Sequence, residues 1–173
     1  MKLDIVVYPD KRLKLQSKDV TEFDDVLHKF LDDMYDTMVS SNGLGLAAIQ
    51  VANPINALII SIPDENDEQL RGNLLEIINP KITASRGSQF YQEGCLSIPG
   101  FYEDVERFET ITIEYVDRYG NEHLLDANEL LSIAVQHEMD HLHGKLFIEK
   151  LSYSRRKKFE KEYKKAQKAK KAS

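Results

Sequence analysis

His137 and His141 lie four residues apart, and Glu138 directly follows the first of them. On an α-helix, positions i and i+4 share a face about one turn apart. Two imidazoles so placed can grip one metal ion. The carboxylate of Glu138 then stands beside the open side of that ion, where it can take or return a proton of water. This His-Glu-x-x-His spacing supports metal-assisted hydrolysis. The plainer reading is a hydrogen-bond network, because buried His and Glu need partners of some kind. The residues around the motif are strongly apolar, so a metal that answers all three side chains at once is favoured.

A catalytic metal commonly takes three protein ligands and keeps one position open. The third ligand therefore decides the chemistry. A downstream histidine in the pattern H-E-x-x-H-x-x-G-x-x-H fails, because Gly144 matches but Phe147 occupies the histidine position. Glu160 and Glu162 are distant enough, but they sit in a Lys-rich stretch that makes a poor wall for a buried metal. Upstream, Cys95 lies in Glu93-Gly94-Cys95-Leu96-Ser97-Ile98-Pro99. Gly94 admits backbone geometries closed to other residues, and Pro99 stiffens the exit. A thiolate suits divalent iron, zinc or cobalt, and coordination ionises it. Cys95 is also the only cysteine, so it has no disulfide partner in the chain. Its bland role would be that of a small buried apolar residue.

Another small-residue run, Gly43-Leu44-Gly45-Leu46-Ala47-Ala48-Ile49-Gln50, admits close approach of a ligand or of neighbouring backbone. It lacks the Gly-Lys-Ser/Thr ending of a phosphate loop, and no clear helix follows it. Gln50 is a lone amide at its end, either structural or a hydrogen-bond donor to a bound group.

The elements that must position these residues follow from periodicity. Phe23, Val26, Leu27, Phe30, Leu31, Met34, Tyr35 and Met38 recur at helical spacing and predict an amphipathic helix over 22–41, capped by Thr21. Ala57–Ile62 reads as a strand closed by Pro63, and Leu74–Ile78 as a short run ended by Asn79-Pro80. Lys81–Gln92 alternates weakly, as a strand would. Thr110–Val116, a turn at Asp117–Asn121 and a return over His123–Asp126 read as a hairpin. From Asn128 the apolar residues cover nearly the whole circumference, which predicts a buried helix. Gly144 stops it. Ser152 caps a last helix of sparse apolar content. The pattern predicts an α+β fold. Mostly antiparallel sheets pack around a buried central helix carrying the His-Glu-x-x-His motif, with N-terminal and C-terminal helices added. Residues 1–151 form the catalytic part, and 152–173 a basic helix belonging to the same single domain.

The 173 residues are 42% hydrophobic and carry a net charge of −6. Residues 1–149 hold 12 Lys and Arg against 27 Asp and Glu, whereas 150–173 hold 11 against 2. An acidic body with a basic tail points to a polyanionic partner for the tail. No apolar run approaches the roughly 20 residues that span a bilayer. The N-terminus lacks a signal-peptide pattern. A cytoplasmic protein without membrane contact is expected.

Three motifs in order, Gly43–Gln50 as G-x-G-x-A-A-x-Q, Glu93–Ser97 as E-G-C-L-S, and Gln136–His141 as Q-H-E-x-D-H, resemble those of peptide deformylases. The likeness extends over nearly the whole chain, from Tyr8-Pro9 to Gly144-Lys145-Leu146-Phe147. It implies removal of the formyl group from the N-terminal N-formylmethionine of new polypeptides, with release of formate. It implies Cys95, His137 and His141 as ligands to Fe(II), with Ni, Co or Zn as substitutes. Glu138 would be general base and acid, driving metal-bound water onto the formyl carbon. Gln50 and the Leu96 N–H would hold the formyl oxygen. Leu44 and Gly45 would pair with the peptide backbone. Gly43, Leu130, Ile133 and Ala134 would line the methionine pocket, with Glu93 beside them and ion-paired to Arg107. Tyr102 stands where some members carry an Arg that touches the peptide. The basic tail would dock on the ribosome, and its removal after Leu151 would leave small-peptide turnover intact. The competing functions are another metallohydrolase, such as an endopeptidase, and a silent homologue that only binds peptides or ribosomes. Intact Gln50, Cys95 and Glu138 argue against the last.

Overall fold

A computed structural model describes residues 1–172. Helix α1 spans Asp25–Ser40 and is followed by β1 (Gly45–Ala47), a 3-10 turn at Ala48–Val51, and β2 (Ala57–Ile60). Strands β3 (Leu75–Arg86), β4 (Gln89–Cys95), β5 (Ile98–Arg107), β6 (Thr110–Val116) and β7 (Glu122–Asn128) come next. Helix α2 covers Glu129–Leu142, a 3-10 turn Phe147–Lys150, and α3 Tyr153–Ala172. Five strands form an antiparallel sheet in the order β1-β2-β3-β6-β7, and β4 pairs with β5 in a separate ribbon. The expected α+β architecture is therefore present.

The four residues of β2, Ala-Leu-Ile-Ile, are all buried because the sheet is covered on both faces there. Leu58 and Ile60 join Ile77, Ile111 and Ile113 against Val135, Met139 and Leu142 of α2. Ala57 and Ile59 face the other way, against Leu27, Leu31, Met34 and Met38 of α1. Each buried Leu, Ile or Met here contributes about 1.5–3 kcal/mol. A short apolar run without alternation is what a strand sandwiched between two helices requires.

Three sequence expectations shift. The cap of α1 is Asp24 rather than Thr21: Asp24 Oδ1 accepts from Leu27 N at 3.0 Å, so the helix begins at Asp25. Asn79-Pro80 does not end a strand; β3 runs through it. Asn79 adopts a left-handed φ of 52°. Its side chain accepts from Val20 N at 2.8 Å and donates to Val20 O at 2.9 Å. Pairing with β6 skips at that point, so Pro80 sits in a bulge where its missing N–H costs no ladder bond. The segment expected as one strand over 81–92 is instead divided by Gly87, at φ 70°, into the end of β3 and β4. The hairpin of β6 and β7 and the stop at Gly144, with φ 72°, fall where the sequence places them.

A third core gathers Val6, Leu13, Ile98, Val105, Phe147 and Leu151 around Phe159 and Tyr163 of α3. Phe159 is 2% and Tyr163 5% exposed. Their rings meet Tyr8 and Phe101 at centroid separations of 5.1–5.7 Å. Tyr163 Oη donates to Tyr8 O at 2.6 Å. The tail is thus two different halves. Its proximal turns complete a core, and cutting after Leu151 would open that core. Its distal turns are exposed and basic.

Candidate metal centre and substrate cleft

Cys95 ends β4 beside a break in the ladder, where pairing jumps from Glu93↔Glu103 to Cys95↔Ile98. Opposite it, α2 presents His137 and His141, both buried. One ligand atom from each of the three residues lies within 4.8 Å of the others. Cys95 Sγ is 3.4 Å from His141 Nε2. The side chain that joins the two histidines therefore comes from upstream in the chain. Phe147 is 1% exposed and stacks on the His137 ring at 6.0 Å, as a wall of the site. Glu160 pairs with Lys157 at 3.4 Å on α3, and neither it nor Glu162 belongs to the cluster.

Glu93 orients the first histidine. Its Oε1 accepts from His137 Nδ1 at 2.8 Å, which turns Nε2 toward Cys95. The same carboxylate takes a two-pronged pair from Arg107, at 2.6 and 2.9 Å. Arg107 Nη1 then reaches Asp140 Oδ2 at 2.8 Å. One buried guanidinium so ties β4, β5 and α2 together, and the Glu93–Arg107 pair expected from sequence is formed. Burial alone would raise the Glu93 carboxyl, but bonds from His137 and Arg107 outweigh it and hold it below the usual range. For His137, burial disfavours the charged form, while Cys95 and Glu93 carry it well above the ordinary value. For His141, burial and then the charges of His137 and Arg107 press it well below.

Glu138 sits between His137, whose Nε2 is 3.7 Å from Oε1, and Gly45. Burial pushes its carboxyl up to about 7, against the pull of His137 and Arg107. Among the described residues its Oε2 is buried without a hydrogen-bond partner. A soft sulfur, two imidazoles and an unpartnered carboxylate oxygen fit a divalent cation with water beside it.

Gln50 is 1% exposed at the end of the β1 turn. Ala47 N donates to its Oε1 at 2.9 Å. That leaves Nε2 to donate to Ser97 Oγ at 3.0 Å and to face Cys95 Sγ at 3.6 Å. The small residues that precede it form an edge strand and a 3-10 turn, where the sequence offered no helix. At Gly43 a Cβ would stand 2.7 Å from Leu96 Cδ1, and at Gly45 3.1 Å from Glu138 Cγ. These glycines let the cysteine loop and the carboxylate approach.

A cleft of about 520 Å³ opens in front of this cluster. Gly43, Leu44 and Gly45 form one wall, Leu130, Ile133 and Ala134 of α2 another, and Leu96 a third. Glu93, Gln50, Cys95, His137 and Glu138 also border it, whereas His141 lies behind. Glu93, expected beside the substrate pocket, borders the cleft while its carboxylate is engaged by His137 and Arg107 and is 4% exposed. The Leu44 carbonyl accepts from Ser61 N at 2.8 Å, and the Gly43 carbonyl from Gln69 Nε2 at 2.9 Å. Four residues had no role from sequence: Ser97, Asp140, Tyr91 and Gln69. The first two lie inside the quoted motifs, which was a signal. Tyr91 lines the cleft two residues before Glu93, and Gln69 reaches the Gly43 carbonyl from a polar loop; neither carries a local signature.

Fold and cluster together define a class: α+β hydrolases with a His-Glu-x-x-His helix completed by a distant cysteine. The family model for polypeptide deformylase matches residues 2–157. A peptide deformylase of Helicobacter pylori is 55% identical over 169 residues, covering 98% of this chain and 97% of that one. The crystal structure of a peptide deformylase from Legionella pneumophila superposes with a TM-score of 0.90 at 34% identity, covering 100% and 99% of the two chains. That of the Ehrlichia chaffeensis enzyme in complex with actinonin gives 0.85 at 40% identity, covering 95% and 97%. The chain belongs to the polypeptide deformylase family. It is a hydrolase, and no described helix is long and apolar enough to cross a membrane.

Proposed function

We propose that this chain hydrolyses the formamide of N-formyl-methionyl polypeptides in the cytoplasm, releasing formate and a free amino terminus. The observation that carries this reading is the convergence of Gln50 Nε2, Glu138 and the Cys95–His137–His141 cluster on one cleft with an apolar wall. Cys95, His137 and His141 would hold Fe(II), and Ni, Co or Zn suits the same donors. When bound, such a cation supplies Lewis acidity and lowers the pKa of water toward neutrality.

The protein's own groups supply the rest. Glu138 takes the proton of the attacking water and returns it to the departing amine. Gln50 Nε2 and the Leu96 N–H receive the charge that develops on the formyl oxygen. Leu130, Ile133 and Ala134, with Gly43, accept the methionine side chain by apolar burial. Gly45 at the start of the edge strand β1, with Leu44 just before it, offers main-chain pairing to the peptide. The exposed face of α3, with Lys161, Lys164, Lys165, Lys168 and Lys171, suits ribosomal RNA, where Lys on phosphate gains affinity through counterion release.

The test is formate release from formyl-Met-Ala-Ser by protein purified anaerobically with iron. Wild type should turn over, and Glu138→Ala should retain metal and lose activity. No release from metal-loaded wild type would overturn the reading. An endopeptidase reading is disfavoured by Phe147, a stacked ring where the third histidine would be needed.

A further inference from the structure

Two alternate residues near the N-terminus grip the two sides of the catalytic site. Val6 donates its main-chain N–H to the Gln50 carbonyl at 2.7 Å, and Tyr8 donates to the Ser97 carbonyl at 2.8 Å. Gln50 closes the turn after β1, and Ser97 sits in the connection between β4 and β5. Their side chains also bond each other, Gln50 Nε2 to Ser97 Oγ at 3.0 Å. One short segment thus fixes the main chains of both partners in that bond.

The segment is itself anchored. Val6 is 5% exposed in the core shared with α3. The Tyr8 carbonyl accepts from Tyr163 Oη at 2.6 Å, and the Tyr8 ring packs on Phe159 and Tyr163.

We infer that Val6–Tyr8 is a positioning strap for the amide of Gln50. The Ala47 N–H fixes how that amide is rotated, through Oε1. The strap fixes where the whole turn stands relative to Ser97 and Cys95. A donor to a developing oxyanion acts fully only when held in place beforehand, and small displacements are costly to rate. Val6 and Tyr8 touch no reacting atom; they act through Gln50 and Ser97. The inference rests on the reading of Gln50 given above.

The experiment deletes the donor at residue 6 in two ways. One is Val6→Pro. The other is an amide-to-ester replacement at the same position, made by ligating a synthetic N-terminal segment, which leaves φ free and decides the matter if the proline variant does not fold. Each should lower kcat for formyl-Met-Ala-Ser about 10-fold, with KM within about twofold and metal content unchanged. The side-chain amide resonances of Gln50 should move in the ester variant. Leu151→Ala, in the same core, should lower Tm while leaving kcat and those resonances in place. Gln50→Ala should lower kcat by about 100-fold or more. A folded ester variant with wild-type kcat, beside a slow Gln50→Ala, would overturn the strap. Wild-type turnover by Gln50→Ala would remove the role of Gln50 on which the strap depends.

Discussion

Glu93 Oε1 lies 2.8 Å from His137 Nδ1 while both oxygens of the same carboxylate are held by Arg107. The histidine is therefore oriented by a group that is itself immobilised. Carboxylates placed behind metal-binding histidines commonly set affinity by 10–100-fold. Glu93→Gln should weaken Co(II) or Zn(II) binding by about that factor, as measured by competition with a chromogenic chelator. The variant also takes from the Arg107 guanidinium, 2% exposed, the more deeply buried of its two carboxylate partners and leaves it the pair with Asp140. A stability loss of about 3 kcal/mol should accompany it, seen in urea unfolding of the apo-protein. Unchanged metal affinity would show that His137 is oriented by something else.

The C-terminal helix contributes to stability through its first half. Phe159 is 2% exposed among Tyr8, Phe101 and Tyr163. Phe159→Ala should cost about 3–5 kcal/mol and lower Tm on the order of 10 °C. Truncation after Gln167 leaves this core intact and removes Lys168, Lys170 and Lys171. That variant should keep the wild-type Tm and show a smaller salt dependence of ribosome binding in sedimentation. Equal salt slopes for the two proteins would remove the distal helix as the contact.

The β6–β7 turn carries an acid-sensitive group. Asp117 accepts from Tyr119 N at 2.9 Å, Asn121 N at 3.1 Å and His123 Nε2 at 2.7 Å. Burial alone would raise its carboxyl, but these bonds together outweigh it and hold it below its ordinary 3.8. A carboxyl lowered on folding stabilises fully above its unfolded pKa, and that contribution is lost as pH falls through the folded value. Stability should therefore decline more steeply below about pH 4 in wild type than in Asp117→Asn. Urea midpoints across pH 2.5–5 measure this. Parallel acid limbs would assign the decline to other carboxylates.

Much of the site was legible because its chemistry is local in sequence. His137, Glu138 and His141 are fixed by helical spacing, and the shortage of further ligands pointed to Cys95, whose neighbours Gly94 and Pro99 marked an unusual turn. What stayed hidden depends on contacts between distant segments. The Arg107–Asp140 bond joins residues 33 apart. Gln69 reaches Gly43 from a loop that reads only as polar. The Asn79-Pro80 bulge exists because Val20 supplies the partners of Asn79, and nothing in 74–92 alone foretells it. The tail's many lysines dominate its sequence, whereas the burial of Phe159 and Tyr163 depends on partners as distant as Tyr8 and Phe101.

Gly45 offers the sharpest steric test of the role proposed for Glu138. A Cβ there would lie 3.1 Å from Glu138 Cγ, 3.3 Å from Cδ and 3.3 Å from Ile59 O. The neighbours must give by a few tenths of an ångström. Ile59 O belongs to the paired strand β2 and is held by the sheet, so the Glu138 side chain is the group that moves. Gly45 has an ordinary φ, so alanine introduces no backbone strain of its own, and β1 retains its pairing of Gly45 with Ile60. Gly45→Ala should bind metal as wild type does and unfold within about 1 kcal/mol of it. Its kcat for formate release should fall by about 10-fold or more, because proton transfer depends on reach. Glu138→Asp, which shortens the side chain by one methylene, should recover part of that loss in the Gly45→Ala background while slowing the wild type. Additive losses in the double variant would mean that the two residues do not contend for the same space.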